Sequence, residues 1–333
     1  STGGMRSKLD FTWIKPGYII GDKEASEILN KFDGGFNIEE VVTIDGRKLS
    51  YVINKTMMRI DLIKPMKPGS RMSISIRWNY NIQDRIFMGG RPGYEFFRSD
   101  SNYLYTICQW FPRMAMYNDV YGWQNKQFLG RGEFTLDFGD YDVRITVPSD
   151  HIVAATGELQ NSMEVLTSAQ IKRLKQARAS DEPVIIITQG EAEKNEKSRS
   201  KKFKTWRYKA KNVRDFAFTS SRKFIWDAMG IRLGSRTIMA MSYYPKEANP
   251  LYERYSTRAV AHTVRVYSKY TFDYPYPVAI SVEANNGMEY PMICFNYGRP
   301  EKDGTYSERI KYGMISVIIH EVGHNYFPMI VNS

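Results

Sequence analysis

Two histidines four residues apart lie near the end of the 333-residue sequence, as His320 and His324 of HEVGH, and Glu321 follows the first of them. On a helix this spacing places both imidazoles on one face about a turn apart, so they can hold one metal ion. Neutral imidazole nitrogens suit zinc, and two histidines with one carboxylate leave a fourth position for water. Glu321 lies about 100° further round the helix, where it can act as general base toward that water. The chemistry of such a group is hydrolysis.

A structural helix that carries two histidines by chance is the alternative explanation. A chance HExxH is expected in roughly one chain of this length per hundred. Two features favour metal binding: the motif holds two of the chain's four histidines, and it lies on a predicted helix with a readable start and stop. The start is TYSE, where Thr305 and Glu308 have capping-box spacing, and the stop is Pro328.

A second group of residues lies upstream in EANNGMEYPMICF and comprises Gly287, Met288, Glu289 and Tyr290. Glycine allows close approach of the backbone to a ligand, and the nearby acid offers a counter-ion for a cationic group. Taken alone, Gly-Met-Glu is a weak motif, and Glu289 is more simply explained as an exposed loop acid. Together with HEVGH downstream, Glu289 becomes a candidate substrate-binding residue.

These segments resemble the aminopeptidase N family of zinc metallopeptidases, a gluzincin family that includes the leukotriene hydrolase branch, and in detail its bacterial members. The family signature is a GxMEN-type loop about thirty residues before HExxH, and Glu289 precedes His320 by 31 residues. QWFPRMAMYNDVYGW and GEFTLDFGDYDVRITVPSDHIVAATGEL are also similar to family segments.

The resemblance implies a multidomain α+β fold, with a β-saddle or β-sandwich N-terminal domain followed by the start of a thermolysin-like zinc peptidase domain. It implies one zinc ion per chain, with His320 and His324 as ligands and Glu321 as general base. The expected activity is therefore that of a zinc metallo-aminopeptidase.

The expected substrates are peptides with a free N-terminus. In the family, the acid that matches Glu289 pairs with the substrate's α-amino group, and the backbone of Gly287 and Met288 would bind the peptide as an added strand. Tyr290 replaces the final Asn of the signature, and Asn286 replaces its first glycine. A Gln or Glu that also binds the amine in the family is not placed, because the register of Gln109 does not fit.

The third zinc ligand of the family is a Glu about nineteen residues past the second histidine, which falls beyond Ser333. Residues 325–333 contain no Asp, Glu, His or Cys. We therefore expect the sequence to be an incomplete fragment, and the 333-residue chain itself to be inactive and to hold zinc weakly.

Periodicity predicts the elements that must position these residues. Strands are expected in MMRIDLIKP, RMSISIRWNYNI and TWRYKAKNVRDFAFTSSRKFIWDA, and GEFTLDFGDYDVRITVPSD is expected to be two strands with a turn at Gly139-Asp140. SAQIKRLKQARAS predicts a helix, PVIIIT a strand and GEAEKNEKSRSKK a charged loop. NPLYERYSTRAVAHTVRVYSKYTF predicts an amphipathic helix, YPYPVAISVEA a strand and NNGMEYP a loop.

This pattern predicts two domains. Residues 1–235 are interpreted as a β-rich N-terminal domain with a helical and basic insertion at about 165–204. Residues 236–333 are interpreted as the truncated N-terminal part of the catalytic domain.

Composition is that of a soluble globular protein, with 42% apolar and 25% charged residues. No apolar run reaches the roughly 20 residues of a membrane span, and two cysteines are too few for a disulfide framework. The natural N-terminus is expected to be absent, so cytoplasmic and exported or periplasmic locations both stay open. Oligomeric state also stays open.

The net charge of +11 arises mainly in residues 194–214, which hold ten Lys or Arg against the single acid Glu196. We interpret this segment as a solvated connector and expect no nucleic-acid partner. A polyanion-binding protein that uses this segment is the least favoured function. The stronger alternative to an aminopeptidase is an inactive family member that serves as a peptide-binding or structural module.

Overall fold

The computed structural model describes residues 32–126, 136–284 and 286–331. These described residues form several sheets and six α-helices, so the predicted α+β fold class is confirmed. The strands are β1 (Asn37–Thr43), β2 (Ser50–Asn54), β3 (Met57–Asp61), β4 (Ile74–Asn79), β5 (Gly93–Phe97), β6 (Asn102–Ile107), β7 (Tyr117–Asn118), β8 (Gly122–Trp123), β9 (Gly139–Pro148), β10 (Ile152–Ala155), β11 (Glu158–Leu159), β12 (Val184–Ile187), β13 (Phe203–Val213), β14 (Phe218–Ser221), β15 (Ile225–Leu233), β16 (Arg236–Tyr244), β17 (Val278–Glu283), β18 (Met288–Tyr290) and β19 (Ile293–Asn296). The helices are α1 (Arg85–Met88), α2 (Ser162–Val165), α3 (Ser168–Ala179), α4 (Gln189–Ser198), α5 (Leu251–Tyr270) and α6 (Glu308–Gly323).

The chain divides into two compact units. The first unit comprises the residues up to Gly93 and from Gln109 to Leu136, and the second comprises Tyr94–Cys108 and the chain from Asp137 onward. In the first unit, antiparallel pairs join β1 to β4, β2 to β3, and β7 to β8. Strands β3 and β4 confirm the predictions for MMRIDLIKP and RMSISIRWNYNI.

The second unit is built on three sheets, with strand orders β10-β14-β6-β5, β11-β13-β9 and β12-β15-β16-β17-β19-β18. In the six-stranded sheet, β17 runs parallel to both β16 and β19, and the remaining pairs are antiparallel. Nearly every residue of β16, β17 and β19 is buried, as expected for parallel strands with both faces covered. Helix α5 packs on β15, β16 and β17, and α6 packs on β17, β18 and β19.

The core lies in the second unit. Among the described residues, the bulkiest side chains with less than 2% exposure belong to it; the five largest are Trp206, Tyr244, Tyr252, Tyr274 and Tyr326. Burying rings of this size supplies a large share of the stabilisation that fixes helices to sheets. In the described part of the chain, no helix combines the length and the apolar character needed to cross a membrane.

Most predicted elements of the second unit are confirmed: α3, β12, α5 and β17 occupy the expected segments, and β13, β14 and β15 form the strands of the aromatic-rich segment. Strand β9 is also confirmed, but it begins at Gly139, so the turn predicted at Gly139-Asp140 is wrong. Of the strand predicted before that turn, residues 132–135 lie outside the described residues, and residues 136–138 are not in a strand. Residue 235 lies in the turn between the paired strands β15 and β16, and the domain boundary placed there stays a prediction.

The loop predicted for GEAEKNEKSRSKK is wrong, because residues 189–198 form the helix α4. Thr188 accepts a hydrogen bond from the Glu191 amide at 3.2 Å, and the Glu191 carboxylate accepts one from the Thr188 amide at 2.8 Å. This reciprocal capping box starts the helix, and its Ala, Glu and Lys residues favour helical backbone. The many charged residues of the segment led to the prediction of a loop in place of this helix.

The basic segment 194–214 is also more ordered than a connector, since it comprises the end of α4, a short link and β13. Along β13, the buried side chains of Trp206, Tyr208 and Ala210 alternate with basic residues. Arg207 and Lys209 lie 2.8 and 3.5 Å from the carboxylate of Asp142 on the paired strand β9. The basic residues therefore form the polar face of a strand.

A row of buried polar side chains crosses the six-stranded sheet beneath α5. It begins at Asp227 on β15, whose carboxylate accepts a hydrogen bond from the Thr257 hydroxyl of α5. Further hydrogen bonds join Thr257 to Ser242 at 2.6 Å, Ser242 to Ser256 at 2.8 Å, Ser256 to Ser281 at 3.2 Å and Ser281 to Asn296 at 2.8 Å. The row links buried polar groups on four strands and fixes α5 to the sheet.

Asp227 makes stability depend on pH, because complete burial raises the pKa of its carboxyl from 3.8 to about 7. Because this pKa is raised in the folded state, the stabilisation that the protonated Asp227 carboxyl contributes is fully present below pH 4 and is lost as pH rises through 7. Asparagine does not ionise, so the Asp227→Asn variant does not lose stability in this way. The difference in free energy of unfolding between the variant and the wild type should therefore grow in favour of the variant by about 4 kcal/mol from pH 4 to pH 8. Urea titrations measure this margin. Exposed Asp181→Asn is the control, with a margin that stays flat, and a flat margin for Asp227→Asn would contradict the prediction.

Candidate metal centre

Helix α6 carries the first four residues of HEVGH in its last turn. It begins after Ser307, whose hydroxyl accepts a hydrogen bond from the Ile310 amide at 3.2 Å. The predicted start at Thr305 is wrong, because that hydroxyl donates instead to Asp303 at 2.6 Å. The predicted stop at Pro328 is also too late, since the helix ends at Gly323 and His324 is its C-terminal cap.

The two imidazoles of the motif face each other. Nε2 of His320 lies 3.1 Å from Nε2 of His324. In a tetrahedral zinc site, two nitrogens that each lie about 2.0–2.1 Å from the metal are about 3.3 Å apart. The spacing of the two nitrogens therefore fits a single zinc ion held by both.

The turn after α6 sets the tautomer of His324. Its Nδ1 lies 2.8 Å from the carbonyl oxygen of Phe327, which can only accept a hydrogen bond. Nδ1 therefore carries the proton, and the lone pair on Nε2 points toward His320. The backbone amide of Tyr326 bonds to the carbonyl of Gly323 at 2.9 Å and holds this turn against the helix end.

Glu289 lies beside the motif although 31 residues separate it from His320. Ligand atoms of Glu289, Glu321 and His324 all lie within 4.8 Å of one another. Glu289 is only 5% exposed, so its interpretation as an exposed loop acid is wrong. Two carboxylates and the His324 imidazole therefore converge on one small volume, and His320 adjoins it through its contact with His324.

The predicted loop NNGMEYP contains strand β18, which pairs with β19 so that Glu289 faces Cys294. Met292 has a φ of 66° and closes the tight turn between the two strands. In the described part of the sheet, β18 is one of the two edge strands, and edge strands can add a peptide as a further strand. Met288 and Tyr290, like Glu289 between them, are buried.

Gly287 lies close to the side chain of Glu321. A β-carbon at position 287 would lie 2.6 Å from Oε1 of Glu321, which is closer than van der Waals contact allows. The glycine that the sequence suggested for ligand contact thus also makes room for the glutamate of the motif.

The donors at the centre are nitrogen and oxygen. Burial, together with the nearby charges of Glu321 and Glu289, raises the pKa of the Cys294 thiol, which donates a hydrogen bond to the Ile280 carbonyl at 3.3 Å. A protonated thiol is not a zinc ligand. Nitrogen and carboxylate donors are typical of catalytic zinc sites, whereas thiolates dominate structural ones.

Sequence reasoning missed three residues that support the centre: Phe327 through its carbonyl, Gly323 and Asn325. A β-carbon on Gly323 would lie 2.6 Å from the Tyr267 hydroxyl, so this glycine lets α5 approach α6. Asn325 is polar and buried. Its place directly after the second histidine is the signal in the sequence that could have identified it as a supporting residue. Gln109 is buried with a φ of 55°, and the amine-binding role considered for it stays unassigned.

No protein-family model and no curated protein matches the sequence. Among solved structures, an M1 zinc metallopeptidase from Deinococcus radiodurans aligns with a TM-score of 0.52 and 14% identity over 89% of this chain and 55% of that one. A glutamate-to-alanine variant bound to a Tyr-Ser-Ala substrate, from the same organism, gives 0.51 and 14% over 90% and 56%. A two-domain variant bound to L-tryptophan gives 0.52 and 15% over 89% and 56%.

This chain spans about 55% of the length of these metallopeptidases. At such low identity the likeness concerns the fold alone. The chain has the fold of the M1 zinc metallopeptidases.

Proposed function

We propose that the protein is a zinc-dependent aminopeptidase of the aminopeptidase N type, which removes N-terminal residues from peptides. The observation that carries the proposal is the convergence of Glu289, Glu321 and His324 within 4.8 Å, with Nε2 of His320 3.1 Å from that of His324. The fold likeness to M1 zinc metallopeptidases, one of them a complex with the peptide substrate Tyr-Ser-Ala, supports the same reaction class.

His320 and His324 would hold the zinc ion. The family resemblance would put a third ligand, a glutamate, beyond Ser333, so hydrolysis is tested on the full-length protein. When bound, zinc supplies a Lewis acid that polarises the scissile carbonyl and makes water a nucleophile near neutral pH.

Glu321 is the general base in this proposal. It takes a proton from the attacking water and passes it to the leaving amine. Its carboxylate lies against Gly287, two residues before Glu289, so the base is held beside the strand that would bind the peptide. That contact restricts the position of the base relative to the substrate.

Glu289 would select peptides with a free N-terminus. Its carboxylate is buried, so an α-ammonium group is a favourable partner, and a blocked N-terminus would leave that charge unpaired. One residue of extended peptide spans about 3.4 Å. An amine paired with Glu289 therefore brings the first peptide bond, and no later one, beside Glu321, whose carboxylate lies within 4.8 Å.

Glu289→Ala in the full-length protein tests this role. We expect kcat/KM for aminoacyl anilides with a free amine to fall by about 100-fold, because truncating one partner of a buried charge pair costs roughly 2–5 kcal/mol. Activity on the N-acetylated anilide should not fall, because the variant lacks the carboxylate that this substrate leaves unpaired. The control is Glu301→Ala, an exposed acid downstream of the site. Equal losses on both substrates would remove the assigned role of Glu289.

The inactive-module alternative predicts a different result for the unmodified protein. Such a family member would bind zinc and cleave no peptide with a free N-terminus. Detectable release of N-terminal residues by the zinc-loaded protein excludes it.

A further inference from the structure

Asn325 connects the two halves of the candidate site. Its side chain is 1% exposed, and Oδ1 accepts a hydrogen bond from the backbone amide of Met292 at 2.7 Å. The Tyr274 hydroxyl lies 3.3 Å from Oδ1 and 3.0 Å from the Val278 carbonyl oxygen, so these two acceptors share its single proton. One side-chain oxygen therefore joins the end of the metal helix to the turn between β18 and β19 and to the segment before β17.

Both ends of this connection lie next to functional groups. Asn325 directly follows His324, and Met292 lies three residues after Glu289, in the turn between β18 and β19. The carbonyl of Met292 accepts a hydrogen bond from the Ile280 amide on β17 at 2.8 Å. With Asn325 on its amide and Ile280 on its carbonyl, Met292 is fixed relative to both the sheet and the helix end.

The separation of Glu289 from the histidine pair determines which peptide bond reaches Glu321. An extended peptide advances about 3.4 Å per residue, and a misplacement of about 1 Å is enough to reduce a reaction rate 100-fold. A hydrogen bond between the two supporting segments restricts that separation directly.

We propose that Asn325 is a positioning residue that sets the register between the amine-binding Glu289 and the metal-binding His324, an inference that rests on the proposed aminopeptidase function. Asn325 touches neither substrate nor metal. It acts through the Met292 amide, and it makes recognition of the free amine productive for cleavage of the first peptide bond.

A merely structural role for Asn325 makes a different prediction. If the side chain only satisfied two buried donors, its removal would lower stability and leave the kinetics of the folded protein unchanged. The distinguishing quantity is the free-to-blocked ratio, defined as kcat/KM for an aminoacyl anilide divided by kcat/KM for its N-acetylated form.

Asn325→Ala in the zinc-loaded, full-length protein removes the acceptor. We expect the free-to-blocked ratio to fall about tenfold, through kcat more than KM, while zinc content is unchanged. Asn325→Asp keeps an acceptor oxygen in place and should retain the ratio within about threefold. Asn102→Ala, which removes another fully buried asparagine whose partners lie outside the site, should leave the ratio unchanged.

Three outcomes would overturn the inference. The first is an unchanged free-to-blocked ratio in Asn325→Ala. The second is loss of zinc together with equal losses of kcat/KM on both substrates, which would mean that Asn325 supports the metal helix alone. If Asn325→Ala does not fold, Asn325→Gln, which displaces the acceptor by one methylene, gives the test with the same expected fall in ratio. A wild-type protein that cleaves neither anilide is the third outcome, and it identifies the proposed function itself as the failure.

Discussion

Glu321→Gln in the full-length protein should lower kcat on aminoacyl substrates by about 10²–10⁴-fold, the range that general-base catalysis contributes. The variant should still bind zinc. Glutamine keeps the size of the side chain but does not accept a proton at neutral pH. Glu321 is 7% exposed, and its Oε1 lies against the backbone at Gly287. Glutamine fits the same space, so the substitution isolates the proton transfer from the geometry.

The measurement is steady-state kcat together with zinc content by elemental analysis. Glu308→Gln is the matched control, because Glu308 lies on the same helix, is 71% exposed and pairs with Lys311 at 3.0 Å on the surface. Its kcat should stay within about twofold of wild type, since surface ion pairs contribute little. Wild-type turnover by Glu321→Gln would remove the general base from the account, and loss of zinc would assign Glu321 to the metal instead.

Lys223→Met should lower the free energy of unfolding by about 3–5 kcal/mol, the usual cost of removing one partner of a buried ion pair. The Lys223 side chain is fully buried, and its Nζ pairs with Asp100, with Glu196 at 2.9 Å and with Glu247 at 3.0 Å. Burial opposes its charge, but the hydrogen bonds with Asp100 and Glu196 outweigh it and raise the pKa of Lys223. Methionine would leave these carboxylates without their central cation.

Urea unfolding of the 333-residue chain measures this effect at neutral pH. Lys201→Met is the control, since Lys201 is exposed, and its effect should stay within about 0.5 kcal/mol. Zinc is not involved, so the prediction is independent of the metal centre. A loss below about 1 kcal/mol would mean that the three carboxylates find other partners or become protonated.

The composition of the candidate site could be predicted from the sequence, but its supports could not. The spacing of His320 and His324 fixes their common face on any helix, and the resemblance added Glu289. The hydrogen bond that the Met292 amide donates to Asn325, however, joins residues 33 positions apart. Such a contact depends on tertiary packing, which periodicity does not encode.

The errors in the fold have physical causes of the same kind. Ser307 and Thr305 are both good helix caps, and only the bond from Thr305 to Asp303 decides between them. Strand β18 has three residues, too few to show alternation, and it exists through its pairing with β19. The charged helix α4 buries Glu196 against Lys223, 27 residues away, so its density of charge was a poor guide to exposure.

The zinc content of the full-length protein tests the central claim most directly. We predict about one zinc ion per chain in the wild type, and none in a folded double variant with His320→Ala and His324→Ala. His262→Ala, which removes an exposed histidine on α5, is the control and should keep the zinc. A folded double variant that retains zinc at the wild-type level would contradict the assignment of HEVGH as the metal site.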